Sequence, residues 1–134
     1  MRLLPEEYGM ALKRKIILIV DDEKNVRRLV RSVLGTENTV IEAEDGEAAV
    51  HMARHHKPDL ILMDIMMPKM DGYTACKTIK TTPVIRAIPV VMLTAVGFEL
   101  NVDLSQEMGA DGYITKPFSQ QDLLNTIGQF LNPK

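Results

Sequence analysis

Asp59-Leu60-Ile61-Leu62-Met63-Asp64 is the stretch that decides the fold, because four consecutive apolar residues lie between two aspartates. A short apolar run of this kind, bounded by turn-forming residues, is typical of a strand buried on both faces. Pro68 and the pair Asp71-Gly72 shape the loop that follows. Asp64 would therefore stand at the carboxyl end of the strand, the edge at which open parallel sheets hold their ligands.

Strand-like and helix-like segments alternate along the rest of the chain. Apolar runs predict strands, and apolar residues three or four positions apart predict helices. The predicted strands cover 15–20, 39–43, 59–64, 90–93 and 112–115, and the predicted helices cover about 23–34, 47–56, 73–80, 99–108 and the stretch capped by Ser119 that ends near Leu131. This alternation predicts an α/β fold, a single doubly wound parallel sheet of five strands with five helices on its two faces. Residues 1–14 fit the pattern poorly, so we expect an N-terminal extension followed by one domain over 15–134.

The composition is that of one ordinary globular domain. The chain has 134 residues, of which 46% are hydrophobic, and its net charge of −2 gives no electrostatic support for nucleic-acid binding. The single cysteine, Cys76, cannot form a disulfide within the chain, which favours a cytoplasmic protein. No apolar run approaches the roughly 18 residues that span a bilayer, and the first residues lack a signal-peptide pattern. We therefore expect no membrane partner.

Reactive side chains follow four of the predicted strands. The first strand ends in Asp21 and Asp22, the third in Asp64, the fourth in Thr94 and the fifth in Lys116. In a parallel sheet these ends share one edge, and three carboxylates that meet there need a cation. Oxygen ligands favour Mg²⁺, which keeps open positions for phosphate oxygens. The ammonium and hydroxyl groups would hold a transferring phosphoryl group, and a carboxylate can itself be the nucleophile.

Other sites are less consistent with the sequence. The first strand leads into Asp-Asp-Glu and not into a glycine-rich loop, and no serine lies in a G-x-S-x-G motif. His51 and His55 are four residues apart and could hold a metal, but no third ligand is evident and histidines also suit a helix C-terminus. Arg27, Arg28 and Arg31 are expected on the solvated face of the first helix, and a specific anionic partner is the alternative.

Four motifs together resemble the receiver domain of two-component response regulators, the CheY-like family. The motifs are ILIVDDE, DLILMDIMMPKMDG, VVMLTA and GYITKPF, and the resemblance covers about residues 15–132. It implies the strand order 2-1-3-4-5 and Mg²⁺ as the cofactor. It also implies a signalling protein and not an enzyme, which accepts a phosphoryl group from a phosphohistidine on a sensor histidine kinase or a phosphotransfer protein.

The resemblance assigns the acceptor and the metal ligands. Asp64 corresponds to the phosphoacceptor. Asp22 would bind Mg²⁺ directly, Asp21 would help, often through water, and the backbone carbonyl of Met66 would be the remaining protein ligand.

The resemblance also assigns a switch. Thr94 would hydrogen-bond the phosphoryl group and move toward it, and Tyr113 would then turn inward. Lys116 would pair with the phosphate, and the bond between Lys116 and Pro117 is expected to be cis. The surface of the fourth predicted helix, the fifth strand and the fifth predicted helix would carry the signal to a partner.

Two positions bear on how long the phosphoryl group lasts. In this family, the side chains two residues after the acceptor and two after the threonine flank the path of the hydrolytic water. Here they are Met66 and Val96, which cannot orient a water. We therefore expect slow autodephosphorylation, which the change Met66→Asn should accelerate.

Three questions stay open at this stage. A haloacid-dehalogenase-like phosphatase also uses an aspartyl nucleophile, but it needs a second Asp where this chain has Met66. A degenerate receiver that binds partners constitutively is the other alternative, and the complete acidic, threonine and lysine set argues against it. The chain is either a stand-alone regulator or part of a longer protein, it is a monomer or a phosphorylation-dependent dimer, and its downstream target is unknown.

Overall fold

The computed structural model describes residues 14–95 and 107–131. In these ranges the chain forms five strands and four helices, which alternate everywhere except between the fourth and fifth strands. The strands are β1 (Ile16–Val20), β2 (Thr39–Ala43), β3 (Leu60–Asp64), β4 (Val90–Ala95) and β5 (Gly112–Lys116). The helices are α1 (Lys24–Leu34), α2 (Gly46–His56), α3 (Gly72–Lys80) and α4 (Gln120–Leu131).

The five strands form one parallel sheet in the order β2-β1-β3-β4-β5, as expected. The central strand β3 pairs with β1 on one side and β4 on the other. Val20 is level with Met63, Asp64 with Leu93. This register places the carboxyl ends of β1, β3 and β4 side by side, so the residues at these ends can reach one another.

The number of helices differs from the prediction. Five helices were predicted, and the described residues contain four. The predicted helix over 99–108 lies mostly outside the described ranges, and within them only Glu107 and Met108 are helical before the turn that leads to β5. No helix in 14–95 or 107–131 combines the length and the apolar character needed to cross a bilayer.

The core explains why the strands read as unbroken apolar runs. On one face of the sheet, Leu60 and Leu62 of β3 pack with α1 and α4. On the other face, Ile61 and Met63 pack with α2 and α3, where Cys76 is buried. Every residue of β3 is buried, and each large apolar side chain contributes about 1.5–3 kcal/mol by leaving water. Burial also raises the pKa of the Cys76 thiol to about 11, as fits a core residue.

Polar side chains define where the helices begin. Asp45 accepts a hydrogen bond from the backbone N–H of Ala48 at the start of α2, and Asp71 does the same at the start of α3. Ser119 and Asp122 exchange hydrogen bonds at the start of α4, where a cap was predicted. Leu29 of α1 is 45% exposed, because the buried residues Val30 and Leu34 lie on a different stripe of the helix.

Candidate functional site

Four strand ends bring the predicted reactive residues to one edge of the sheet. The Nζ atom of Lys116 lies 2.6 Å from Asp21 Oδ2 and 3.3 Å from Asp64 Oδ1. Asp21, Asp64 and Thr94 are buried, whereas Asp22 is exposed at the mouth of the site. Thr94 and Lys116 belong to their strands and not to the loops that follow, because β4 extends to Ala95 and β5 ends at Lys116.

The three carboxylates form a donor set suited to a hard cation. One oxygen from each of Asp21, Asp22 and Asp64 lies within 4.8 Å of the others. Within the described part of the chain, no other group of three or more acidic, histidine or cysteine side chains is close enough to share an ion. The rings of His51 and His55 are 4.2 Å apart, but they gain no third ligand there. A donor set made only of carboxylate oxygens fits Mg²⁺.

Burial and charge shape the titration of the site. Burial, and after it the charge of Asp21, raise the pKa of Asp64 to about 6, because Lys116 and the Ile65 N–H offset only part of their effect. Burial alone would lower the pKa of Lys116, but the hydrogen bond and charge of Asp21, followed by those of Asp64, outweigh burial and raise it. The lysine is therefore charged at neutral pH, while the carboxylate form of Asp64 is held at a cost that a bound cation would relieve.

Thr94 contributes a buried hydroxyl beside a cavity at this edge of the sheet. In the described ranges, nothing hydrogen-bonds Thr94 Oγ1 although the atom is buried. Such a group ordinarily finds a partner, because an unpaired buried hydroxyl costs about 1–3 kcal/mol. A cavity of about 270 Å³ lies beside it, lined among others by Asp22, Asp64, Met66 and Lys116. Carboxyl groups, an ammonium group and a hydroxyl donor without an acceptor therefore surround one cavity.

The loop after β3 is held close to Asp64. The N–H of Gly72 donates to the carbonyl of Ile65 at 2.8 Å, and a Cβ at this position would overlap the carbonyl oxygen of Asp64. Only glycine fits this approach. The sequence pair Asp71-Gly72 indicated a turn, but the contact with the acceptor strand becomes visible only in the structure. Met66 of the same loop is 63% exposed.

The remaining predicted residues are distributed around this edge. Tyr113 is exposed on β5, and the peptide bond between Lys116 and Pro117 is cis. Val96 lies outside the described residues, so only Met66 of the two positions expected to tune hydrolysis is placed at the cavity.

Arg27 is a residue that sequence reasoning assigned wrongly. It was expected on a solvated face, but its side chain is only 13% exposed. Its Nε donates to Glu42 at 2.9 Å and its Nη1 to the backbone carbonyl of Asp21 at 2.7 Å. Arg31 follows the prediction better, since it is 51% exposed. The sequence offered one signal. Glu42 is the only acidic residue of β2, and Arg27 and Arg31 are one helical turn apart, so both can reach it.

Comparison with known proteins gives a consistent result. The sequence model of the family described as "Response regulator receiver domain" matches residues 17–128. The transcriptional regulatory protein ResD of Bacillus subtilis is 45% identical over 116 residues, which cover 86% of this chain and 47% of that protein. A probable transcriptional regulator ycf27 of Cyanophora paradoxa is 40% identical over 125 residues, covering 91% of this chain and 50% of the relative. The chain thus spans about half the length of these curated relatives.

Solved structures share the fold. A response regulator from Chloroflexus aurantiacus has a TM-score of 0.83 at 35% identity, covering 89% of this chain and 98% of that one. The receiver domain of a sensor histidine kinase from Pseudomonas aeruginosa, which has a magnesium ion coordinated in its active-site cleft, has a TM-score of 0.81 at 28% identity, covering 89% and 98%. Since the family match spans most of the chain, this protein belongs to the response regulator receiver domain family.

Proposed function

We propose that the chain is a receiver of two-component signalling that accepts a phosphoryl group on Asp64. The donor would be a phosphohistidine on a sensor histidine kinase or a phosphotransfer protein. The observation that carries this proposal is the set of groups gathered around Asp64 at the carboxyl edge of the sheet. They are a lysine ammonium at 3.3 Å, two further carboxylates and the unpartnered hydroxyl of Thr94.

The chemistry needs an aspartate oxygen that is free to attack. Asp64 Oδ1 accepts from the Ile65 N–H and from Lys116, whereas no donor contacts Oδ2 among the described residues. A carboxylate oxygen of Asp64 would form a bond to phosphorus as the phosphorus–nitrogen bond of the donor breaks. The imidazole nitrogen keeps that electron pair and takes a proton from solvent.

The other groups at the edge stabilise the charge of the transferred group. Asp21, Asp22, Asp64 and the Met66 carbonyl would hold Mg²⁺, which neutralises charge on the phosphoryl oxygens when bound. The ammonium of Lys116 lies 3.3 Å from Asp64 Oδ1, so it would be within reach of an oxygen of a phosphoryl group attached to Asp64.

Phosphorylation would give Thr94 the acceptor that it lacks. Its hydroxyl would donate to a phosphoryl oxygen and draw β4 toward Asp64. The exposed ring of Tyr113 on the neighbouring strand could then occupy the vacated space, which changes the face formed by β5, α4 and the helix predicted before β5. This is a population shift between two states, driven by one new hydrogen bond and one new charge.

The output would pass through protein contacts. The curated relatives are named as transcriptional regulators, and each is about twice as long as the part matched here. We expect this domain itself to be cytoplasmic, to bind no nucleic acid, and to signal as a monomer or as a phosphorylation-dependent dimer.

The test is phosphoryl uptake from acetyl phosphate with Mg²⁺, followed by intact-mass spectrometry. Wild type should gain one phosphoryl group, and Asp64→Asn or removal of Mg²⁺ should abolish the gain. Asp111→Asn, at the far end of the sheet, is the control that should retain it. Absence of an adduct in wild type would favour a degenerate receiver, and turnover of many phosphoesters would favour a phosphatase.

The same adduct tests the proposed rate of loss. Met66 lines the cavity and presents no group that could orient a water. The wild-type adduct should therefore decay slowly, and Met66→Asn should shorten its lifetime several-fold. A rapid decay in purified wild type would contradict this part of the proposal.

A further inference from the structure

Every polar atom of Asp21 has a partner. Its N–H donates to the carbonyl of Ala43, and its carboxylate accepts from the N–H of Glu23 and from Lys116. Its carbonyl oxygen accepts from Arg27 Nη1 at 2.7 Å. The first contact is with the neighbouring strand β2, the second is with the residue that precedes α1, and the third is with the site itself. The fourth is the one that ties this residue to the side of helix α1.

Arg27 is itself held by a paired carboxylate on the edge strand β2. Glu42 Oε1 accepts from Arg27 Nε at 2.9 Å, and Glu42 Oε2 accepts from Arg31 at 2.8 Å and 3.0 Å. Burial raises the pKa of Glu42, but the hydrogen bonds and charges of Arg31 and Arg27 outweigh it and hold the pKa below its usual value. Glu42 is therefore charged at neutral pH. It fixes the Arg27 guanidinium on one side, and the carbonyl of Asp21 fixes it on the other.

The carbonyl that Arg27 holds belongs to the peptide unit joining Asp21 to Asp22. Because a peptide unit is planar, fixing its oxygen fixes the direction in which the chain leaves Asp21 and enters Asp22. The relative placement of these two carboxylates depends on that direction. Both belong to the acidic cluster whose oxygens lie within 4.8 Å of one another.

We infer that Arg27 is a positioning residue for the magnesium site, acting through the peptide unit between Asp21 and Asp22, with Glu42 as its anchor. This inference rests on the proposed function, since it concerns the cation that the acidic cluster would hold. Arg27 touches neither the cation nor the phosphoryl group in this scheme. Its contribution is geometry, because its guanidinium is held by Glu42 and in turn holds the carbonyl of Asp21.

Charge and geometry predict opposite effects when Arg27 is replaced by glutamine. Removing a positive charge near three carboxylates would by itself strengthen the binding of a divalent cation. Releasing the Asp21–Asp22 peptide unit would weaken it, because the carboxylates would have to be ordered at the moment of binding. The sign of the change in affinity therefore separates a positioning residue from a nearby charge.

The experiment is a calorimetric titration of MgCl₂ into the full chain, for wild type, Arg27→Gln and Arg31→Gln. We expect the dissociation constant to rise about tenfold in Arg27→Gln, as for other residues that orient metal ligands. Arg31→Gln is the matched control: it removes the same charge from the same helix and loosens the same glutamate, but it leaves the Asp21 contact in place. Its dissociation constant should stay within about twofold of wild type. Arg27→Lys keeps the charge but has one nitrogen for two acceptors, so it should weaken binding as well.

Thermal unfolding with and without Mg²⁺ provides a second measurement, because both substitutions should lower the melting temperature of the free protein. The extra stabilisation by Mg²⁺ should shrink in Arg27→Gln and persist in Arg31→Gln. Unchanged or tighter Mg²⁺ binding in both Arg27 variants would overturn this inference alone. Absence of any Mg²⁺ response in wild type would overturn the proposed function and the inference with it. Should Arg27→Gln fail to fold, Arg27→Lys decides by the same criterion.

Discussion

Ion-paired clusters lie at both ends of the sheet, and they are built differently. At the amino end, Lys80 Nζ lies 2.7 Å from Asp111 Oδ2 and donates to the carbonyl of Ile88 at 2.6 Å. Asp111 Oδ2 also accepts from the N–H of Val90 at 2.8 Å. This amino-end cluster contains one acid and one base, and each has the partners it needs. It fastens α3 to the start of β4 and β5.

The carboxyl-end cluster, formed by Asp21, Asp22, Asp64, Thr94 and Lys116, is unbalanced. Of its three carboxylates, Asp21 and Asp64 share Lys116 as their cation, and the buried hydroxyl has no partner in the described ranges. The same sheet therefore carries a satisfied cluster that stabilises the fold and an unsatisfied one that a ligand can complete. The difference identifies the functional end on physical grounds, since strain of this kind persists where a binding event relieves it.

The strongest test of this contrast is to remove each lysine in turn. Lys116→Met leaves Asp21 and Asp64 without their cation and should lower the free energy of unfolding by about 3 kcal/mol. Lys80→Met leaves the more exposed Asp111 with its backbone donor and should cost about 1 kcal/mol. Urea unfolding in Mg²⁺-free buffer measures both.

Adding Mg²⁺ should then distinguish the two ends. A cation bound by the carboxylates replaces the missing ammonium, so the stability gap between Lys116→Met and wild type should narrow. The stability difference between Lys80→Met and wild type should stay constant, because Asp111 is a single carboxylate and forms no site for Mg²⁺ with the other described residues. If Mg²⁺ leaves both gaps equal in size to those measured without it, the carboxyl-end cluster is not the cation site.

The second test uses pH. The pKa of Asp64 is raised from 3.8 to about 6, so the folded chain holds a proton that the unfolded chain releases between these values. Because the folded state binds more protons in this window, its stability falls as the pH rises, by about 3 kcal/mol in all. In Mg²⁺-free buffer, Asp64→Asn should match wild type near pH 4 and exceed it by about that amount at pH 7.

The amino end supplies the control for the pH series. Asp111→Asn removes a carboxylate that already has a lysine and a backbone donor, so it should gain no stability over wild type between pH 4 and pH 7. Denaturant unfolding at each pH gives both curves. An Asp64→Asn variant no more stable than wild type at pH 7 would show that the carboxylate is not held at a cost.

The parts of the molecule that sequence could predict are those fixed by local pattern. The apolar run over 60–63 predicted a strand buried on both faces, and alternation with helices predicted a parallel sheet. Once the sheet is parallel, the strand ends must share an edge, so the neighbours of Asp64 followed without coordinates. The predicted reactive residues, Asp21, Asp22, Asp64, Thr94 and Lys116, all lie at the carboxyl ends of strands or next to them.

The features that sequence did not predict depend on how helices pack over the sheet. The contact between Arg27 and Glu42 joins residues fifteen positions apart and exists only because α1 lies over β2. Leu29 is exposed for a related reason. Helical spacing shows which residues share a face, but packing decides how α1 is rotated about its axis and therefore whether Leu29 or its neighbour Val30 is buried. The unpartnered state of Thr94 is likewise a property of the surrounding backbone and has no local signature.

The smallest expected effect concerns the hydroxyl that lacks a partner. Thr94→Val replaces a buried hydroxyl without an acceptor by a methyl group, so the variant should be more stable than wild type by about 1 kcal/mol. Thr82→Val is the matched control, because Thr82 Oγ1 donates to the carbonyl of Thr78 at 2.6 Å. That substitution should cost up to about 1 kcal/mol. Urea unfolding of the two variants should therefore give changes of opposite sign. A loss of stability in Thr94→Val would mean that the hydroxyl already has a partner in the free protein, and that the carboxyl-end cluster is less open to a phosphoryl group than its geometry indicates.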